Sequence, residues 1–221
     1  MTIQKLFLTF FGAGLSPKAP GTVGSLASLP VGLAVLYYFG METLFMLTLA
    51  ITIIGIFEVN KYEKATGIHD HQQIVIDEAA GMWLSLMIAY ATAVTMHYPY
   101  VELLAIVFSF AAFRLFDIWK PSTIGWIDRE LKGGLGVMLD DVLAGIAGGF
   151  LSAAILMGIE RLFYKSFILR RHPLFTLFLF LFGNASKNIP ITAASMIRYA
   201  INLVKPAIKD SYAKSPMALS I

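Results

Sequence analysis

Long uncharged segments dominate the first part of the chain. No Asp, Glu, Lys or Arg lies between Lys18 and Glu42, and a further 15 uncharged residues separate Glu42 from Glu58. A helix that crosses a membrane needs about 20 predominantly apolar residues. The two segments meet near Gly40, where glycine permits a tight turn. The pattern therefore predicts a helical hairpin in a membrane.

Three more apolar segments follow the hairpin. Ala79 to Val101 contains 23 residues without Asp, Glu, Lys or Arg and is the clearest spanning candidate. Leu103 to Phe113 is shorter, so this fourth helix must either include its flanks, from Tyr100 to Phe116, or stop short of the far interface. Val142 to Ile159 forms a fifth segment, and its small residues favour close helix packing: Gly145, Gly148 and Gly149. We predict an all-α, polytopic membrane protein with four to six membrane-associated helices.

Composition agrees with a membrane protein. The chain is 57% hydrophobic and 14% charged, with a mean hydropathy of +0.73, which is too apolar for a soluble domain. A net charge of +3 does not indicate nucleic-acid binding, because no dense basic stripe with interleaved aromatic residues is present. The chain has no cysteine, which excludes disulfides, thiolate metal sites and a cysteine nucleophile.

The basic residues orient the predicted helices. The connection after the second segment contains Lys61 and Lys64, and the connection after the fourth contains four cations, whereas the turns near Gly40 and Pro99 contain none. The four cations are Arg114, Lys120, Arg129 and Lys132. Cytoplasmic loops carry an excess of Lys and Arg, so we place these two connections in the cytoplasm.

The C-terminal region does not fit this rule. If the fifth segment crosses the membrane, its following cations lie outside: Arg161, Lys165, Arg170 and Arg171. Either that segment is re-entrant or the region is unusual. A sixth helix over Pro173 to Gly183 and an interfacial helix over Ile191 to Lys209 are predicted from their apolar and amphipathic character.

The first polar cluster precedes the first helix. It combines Lys18 with a glycine-rich turn that runs from Gly12 to Ser25. Glycines allow close backbone approach, and the N–H groups of the following helix N-terminus attract anions. A phosphate site is therefore one interpretation, and an ordinary helix-entry loop is the other.

The second polar cluster contains His69, Asp70 and His71, followed by Asp77 and Glu78 directly ahead of the third helix. A carboxylate at a helix N-terminus often only caps the helix and complements its dipole. That explanation suffices for one acid and less well for the whole group.

The third cluster, from Arg114 to Asp141, alternates acids with cations through a glycine-containing loop. It is either a solvated loop with surface ion pairs or a functional site, since ionisable groups beside apolar helices are costly unless paired. Carboxylates suit Mg²⁺, and Arg and Lys suit phosphate oxygens. Together, the clusters predict a metal-assisted phosphoryl site at the cytoplasmic face.

Three blocks of residues resemble the bacterial phosphatidylglycerophosphatase A family. They are GAGLSPKAPGTVGSLASLP (Gly12 to Pro30), GIHDHQQIVIDEAAGMW (Gly67 to Trp83) and FRLFDIWKPSTIGWIDRELKGGLGVMLDDVLAG (Phe113 to Gly145). The resemblance covers residues 1–159 and leaves 160–221 as a C-terminal extension. It implies an Mg²⁺-dependent, multi-pass enzyme of the bacterial inner membrane. Such an enzyme hydrolyses the anionic phospholipid phosphatidylglycerophosphate to phosphatidylglycerol and inorganic phosphate at the cytoplasmic side.

The polar clusters and the resemblance together lead to a hypothesis for each site residue. The expected Mg²⁺ ligands are Asp77, Glu78, Asp140 and Asp141. The expected phosphate-binding residues are Lys18, Arg114, Lys120 and Arg129. The expected catalytic acids or bases are Asp117, Asp128 and Asp70. Direct attack by water is favoured over an aspartyl-phosphate, because the DxDGT pattern of one such class is missing.

Two other functions are weighed against this one. A CDP-alcohol phosphatidyltransferase is also a helical membrane enzyme with paired acids and Mg²⁺, but its DG-xx-AR opening is not found here. A transporter or assembly factor would carry its charges near the membrane midplane, whereas these charges flank the apolar segments.

Overall fold

The computed structural model describes residues 2–67, 71–98, 100–121 and 123–183 of the 221-residue chain, with side chains as far as residue 163. Met1–Ser166 forms one compact unit and Phe167–Ile221 a second. The described residues form seven α-helices, one 3-10 helix and no β-strand, which confirms the all-α prediction. The helices are α1 (Ile3–Leu8), the 3-10 helix (Ala13–Leu15), α2 (Pro20–Phe39), α3 (Met41–Thr66), α4 (Ile76–Ala93), α5 (Val101–Trp119), α6 (Thr123–Glu130) and α7 (Gly134–Gly183).

The predicted hairpin is confirmed. The helices α2 and α3 are separated by Gly40 alone, whose φ of 87° lies in the region that glycine adopts without steric cost. Both helices are long and apolar enough to cross a membrane. Within the described residues, the only other helix that meets these criteria is the Gly134–Phe163 part of α7. The chain is therefore a helical membrane protein.

Helix α4 differs from its prediction. It ends at Ala93, well before the expected Val101, and it is not among the helices that qualify as spans. Asp77 and Glu78 lie in its first turn and lower its apolar character. Thirteen of its 18 residues are buried, and it contacts α2, α3 and α5. Protein therefore surrounds much of α4, so its sequence does not need the lipid-facing apolar surface of an outer helix.

Glycines bring α7 close to its neighbours. A methyl group added at Gly145 would lie 2.8 Å from the Cα and carbonyl carbon of Gly81 on α4. A methyl group at Gly148 would lie 2.7 Å from the backbone nitrogen of Phe113 on α5. The close packing predicted for these glycines is confirmed.

The other helices follow the sequence with changes at their ends. Helix α5 begins at Val101, one residue after the predicted Tyr100, which is its N-cap, and it continues past Phe116 to Trp119. Helix α7 is continuous through Val142 to Ile159, which favours a crossing helix over a re-entrant segment. Pro173 to Gly183 is helical as the last part of α7, and the helix predicted over residues 191–209 lies outside the described residues. The predicted domain boundary after residue 159 stays a prediction.

Candidate active site

The segment that leads into α4 places its two acids in the interior. Val75 donates its backbone N–H to the carbonyl of Leu8 over 2.9 Å, and Ile74 and Val75 are both buried. The next turn therefore begins inside the protein. Asp77 and Glu78 are 9% and 8% exposed, so neither is an ordinary solvated helix cap.

Arg114 on α5 joins two acids. Its Nη1 donates to Glu78 Oε2 and lies 2.8 Å from Asp117 Oδ2, one turn further along the same helix. Ser25 on α2 also contacts Glu78 and Arg114. Charged groups this deep are costly unless they are paired, and Arg114 provides that pairing.

Helix α7 adds the third carboxylate. Glu78, Asp117 and Asp141 each offer an oxygen atom, and these oxygens all lie within 4.8 Å of one another. We call these three residues the carboxylate cluster. All three are buried and come from α4, α5 and α7 respectively. Three helices must therefore pack correctly before the cluster exists.

A second ionic group lies beside the cluster. Lys120 Nζ is 2.6 Å from Asp128 Oδ1 on α6 and 2.5 Å from Asp140 Oδ2 on α7. We call these three residues the lysine bridge. Burial alone would lower the pKa of Lys120, but the hydrogen bonds and charges of the two aspartates outweigh it and raise that pKa above its usual range. Lys120 therefore stays protonated at physiological pH.

A cavity of about 620 Å³ joins the two groups. Six carboxylates and two cations line it, together with backbone and apolar atoms. The carboxylates are Asp77, Glu78, Asp117, Asp128, Asp140 and Asp141, and the cations are Arg114 and Lys120. With all groups ionised, the charged lining carries a formal excess of four negative charges.

The third polar cluster is helical where the sequence analysis expected a glycine-containing loop. Arg114 and Asp117 lie on α5, Asp128 lies on α6, and Asp140 and Asp141 lie on α7. The loop prediction is wrong for the four aspartates, because α5 continues past Phe116 and the short α6 and the first turns of α7 absorb most of the segment. Arg114 lies within the helix that was predicted to reach Phe116. Of the described part of that stretch, Lys120, Pro121 and residues 131–133 remain connections.

Comparison with known proteins identifies the family. The sequence model of phosphatidylglycerophosphatase A matches residues 6–156. The chain belongs to this family. The phosphatidylglycerophosphatase A match begins within α1 and covers α2 to α6 and the first part of α7, and so includes every residue of the carboxylate cluster and the lysine bridge.

Individual relatives agree with this assignment. The phosphatidylglycerophosphatase A of Escherichia coli K12 is 41% identical over 137 residues, which are 62% of this chain and 73% of that protein. The Haemophilus influenzae protein of the same name is 38% identical over 136 residues, 62% of this chain and 78% of its own length. A Bacteroides thetaiotaomicron protein with the provisional name of a phosphatidylinositol-3-phosphatase is 37% identical over 142 residues, 62% of this chain and 84% of its own. No solved structure matches the chain. The chain is an enzyme of a phosphatase family.

Eight of the eleven predicted site residues line the cavity, namely the six carboxylates, Arg114 and Lys120. Lys18 is exposed, and it does not line the cavity although its neighbours Pro17 and Ala19 do. Arg129 is also exposed and lies outside the lining, since it occupies a different face of α6 from Asp128. Asp70 lies outside the described residues.

The structure groups the acids differently from the sequence analysis. Asp117, expected to be a catalytic acid or base, lies in the carboxylate cluster. Asp140, expected to be a metal ligand, belongs to the lysine bridge. The spacing of Arg114 and Asp117, three residues apart on a helix, already indicated that they share a face. Their approach to Asp141 depends on helix packing, which the sequence pattern did not give.

The residues present fit a divalent cation. Mg²⁺ prefers oxygen ligands and commonly binds through one or two carboxylates together with substrate phosphate. The carboxylate cluster provides three such groups at mutual distances within 4.8 Å. Asp140 Oδ1 and Arg114 Nε are buried without a hydrogen-bond partner among the described residues. Unsatisfied buried polar atoms of this kind are expected where a ligand completes the site.

Proposed function

We propose that the enzyme hydrolyses phosphatidylglycerophosphate to phosphatidylglycerol and inorganic phosphate, that it requires Mg²⁺, and that its site faces the cytoplasm of a bacterial inner membrane. The substrate comes from the family and from the E. coli and H. influenzae relatives. The observation that carries the metal requirement is the charge of the cavity, with six carboxylates against two cations.

The excess of acids explains why a cation is needed. A phosphate monoester carries negative charge near neutral pH, and like charges inside a low-dielectric cavity repel strongly. Arg114 is already paired with Glu78 and Asp117, and Lys120 with Asp128 and Asp140. The protein alone therefore lacks the positive charge to hold its substrate.

Glu78, Asp117 and Asp141 are the residues we assign to the metal. When bound, Mg²⁺ supplies positive charge to the phosphate oxygens and lowers the pKa of a bound water. The sequence analysis expected Asp140 among the metal ligands, and this assignment has Asp117 in its place. Asp77 lines the same cavity and stays a candidate ligand.

The cations orient the phosphate. The guanidinium of Arg114 presents planar N–H donors, and its buried Nε has no partner within the described part of the chain, so it has capacity for a phosphate oxygen. Lys120 also lines the cavity, where it is paired with Asp128 and Asp140. These two residues fix the phosphorus atom for attack by water and stabilise the charge that develops.

Proton transfer falls to the acids of the lysine bridge. Water attack forms a P–O bond and breaks the ester P–O bond, so the water loses a proton and the glycerol oxygen gains one. Asp128 is the more exposed acid of the bridge and can exchange protons with solvent. We assign it to this step as general base or acid.

The orientation in the membrane rests on helix ends and flanking residues. The cavity lies where α2 and α4 begin, α5 ends and α7 begins. Exposed Trp119 and Trp126 lie near this end, and exposed Tyr37, Tyr38 and Tyr100 lie at the ends of α2 and α5 remote from it. Trp and Tyr are enriched at both membrane interfaces. The basic connections support a cavity on the cytoplasmic side.

The phosphatase family favours hydrolysis over the two alternatives raised by the sequence. The acids lie at helix ends rather than at the middle of the spans, which is unlike the charged pathway of a transporter.

The test uses purified protein in detergent with phosphatidylglycerophosphate. We expect phosphate release with Mg²⁺ and none with EDTA. Asp141→Asn should lose most activity, whereas Glu102→Gln, an exposed acid at the remote end of α5, should keep it. Phosphatidylinositol 3-phosphate, suggested by the name of the B. thetaiotaomicron relative, serves as a competing substrate. Absence of Mg²⁺-dependent release from phosphatidylglycerophosphate by the wild type would sink the proposal.

A further inference from the structure

The Ser25 hydroxyl on α2 lies beside the ion pair between Glu78 and Arg114. Its Oγ is 2.7 Å from Glu78 Oε2, and Arg114 Nη1 lies 3.2 Å from the same Oγ. Ser25 is fully buried. One uncharged side chain from α2 therefore contacts an acid of α4 and a base of α5.

The polarity of these hydrogen bonds is constrained. A hydroxyl has one proton to donate and two lone pairs that accept. Ser25 Oγ has two acceptors within reach, Glu78 Oε2 at 2.7 Å and the Gly21 carbonyl at 2.8 Å. Donation to an ionised carboxylate is the stronger of the two, and it leaves the lone pairs to accept from Arg114.

The other oxygen of Glu78 faces a different surface. Oε2 is engaged by Ser25 and Arg114, whereas Oε1 lies against Gly21, where an added methyl group would be 3.1 Å from the Glu78 carboxyl carbon and nearer still to Oε1. Both Gly21 and Glu78 line the cavity. Fixing Oε2 therefore also fixes where Oε1 points.

We infer that Ser25 is a positioning residue for the metal, which acts by holding the Glu78 carboxylate so that one oxygen stays on Arg114 and the other remains available to the cation. The inference rests on the proposed function, because it presumes that Glu78 is a metal ligand. Ser25 does not line the cavity, so we assign it no direct contact with metal or substrate.

Ser28 provides a matched control on the same helix. Both serines are fully buried, and each hydroxyl lies within hydrogen-bond distance of a helix carbonyl, Ser25 Oγ at 2.8 Å from that of Gly21 and Ser28 Oγ at 2.9 Å from that of Ser25. The two serines differ in their other contacts. Of the two, Ser25 is the one whose hydroxyl lies within hydrogen-bond distance of Glu78 and Arg114. Ser25→Ala and Ser28→Ala therefore remove the same atoms from similar surroundings.

The experiment measures metal affinity without catalysis. Mn²⁺, used as a probe for Mg²⁺, is titrated into detergent-solubilised full-length protein and followed by electron paramagnetic resonance. We expect Ser25→Ala to weaken Mn²⁺ binding about tenfold, the lower end of the range for residues that orient metal ligands. The Mg²⁺ concentration for half-maximal phosphate release should rise by a similar factor. Ser28→Ala should leave both unchanged, and Ser25→Thr, which keeps the hydroxyl, should restore binding.

Three outcomes would overturn the inference. One is unchanged Mn²⁺ affinity in a folded Ser25→Ala protein, and another is an equal loss in Ser28→Ala, which would indicate general loosening of α2. The third is a wild type that binds no Mn²⁺, which would also remove the metal from the proposed function, whereas the first two leave it intact. If Ser25→Thr does not fold, the comparison of the two alanine variants decides.

Discussion

The close crossing of α4 and α7 at Gly81 and Gly145 should set the spacing of the carboxylate cluster and, through it, the rate of catalysis. A methyl group at Gly145 would lie 2.8 Å from two backbone carbons of Gly81, whereas non-bonded carbon atoms prefer about 3.5–4.0 Å. Because the obstructing atoms are backbone, the helices must separate by about 1 Å. Glu78 lies three residues before Gly81, and Asp141 lies four before Gly145. The separation therefore acts directly on the carboxylate cluster.

A displacement of 1 Å in a catalytic group costs about 10²-fold in rate. We therefore expect Gly145→Ala to reduce kcat for phosphate release by about that factor while the protein remains folded in detergent. Gly158→Ala is the control, because it lies on the same helix with no atom within 4 Å of an added methyl group. Both changes bring the same gain in helix propensity of about 1 kcal/mol. Wild-type kcat in Gly145→Ala, at unchanged thermal stability, would refute the claim that this crossing sets the geometry of the cluster.

Three more predictions concern the lysine bridge and the C-terminal unit. Lys120→Met should lower the free energy of unfolding by about 1–3 kcal/mol, less than for a fully buried pair because Lys120 is 29% exposed, and thermal unfolding in detergent measures this. Because the pKa of Lys120 is raised, its stabilising contribution is present below the usual lysine pKa and is lost only as pH rises through the higher folded value. The pH–rate profiles of wild type and Lys120→Arg should accordingly have the same shape between about pH 7 and 9. If wild type lost activity in that range and Lys120→Arg did not, the raised pKa of Lys120 would be contradicted. A protein truncated after Ser166 should retain phosphatase activity, since the family match ends at residue 156 and the first compact unit ends at Ser166. Loss of activity in a folded truncated protein would show that the second unit takes part in the reaction.

The sequence predicted the elements better than their assembly. The hairpin at Gly40 follows from two uncharged segments and one turn residue, all of which are local information. The end of α4 at Ala93 was missed, because a run free of charge does not show where a helix stops when protein surrounds it. A search for apolar segments finds helices whose surfaces face lipid. Most residues of α4 face protein instead, so its sequence can be less apolar.

The site shows the same division. Acidic and basic residues beside apolar segments predicted most of the cavity lining, because such residues are costly without a partner or a role. The grouping of Asp117 with Glu78 and Asp141 was not predicted, since it depends on three helices approaching at glycines. Ser25 lay within the glycine-rich segment from the start. What distinguishes Ser25 from the other small residues of that segment is its contact with Glu78, which the sequence does not reveal.

The burial of α4 also has a consequence for how the protein is made. The helices α2 and α3 can each enter the bilayer on their own apolar character, whereas α4 carries two acids in its first turn and falls outside the helices that qualify as spans. We therefore expect α4 to reach its final position only once α5 and α7 emerge from the ribosome and cover it. The residues that create the active site thus make biogenesis depend on the order of synthesis, and a chain arrested before α7 would leave the acids of α4 without their partners.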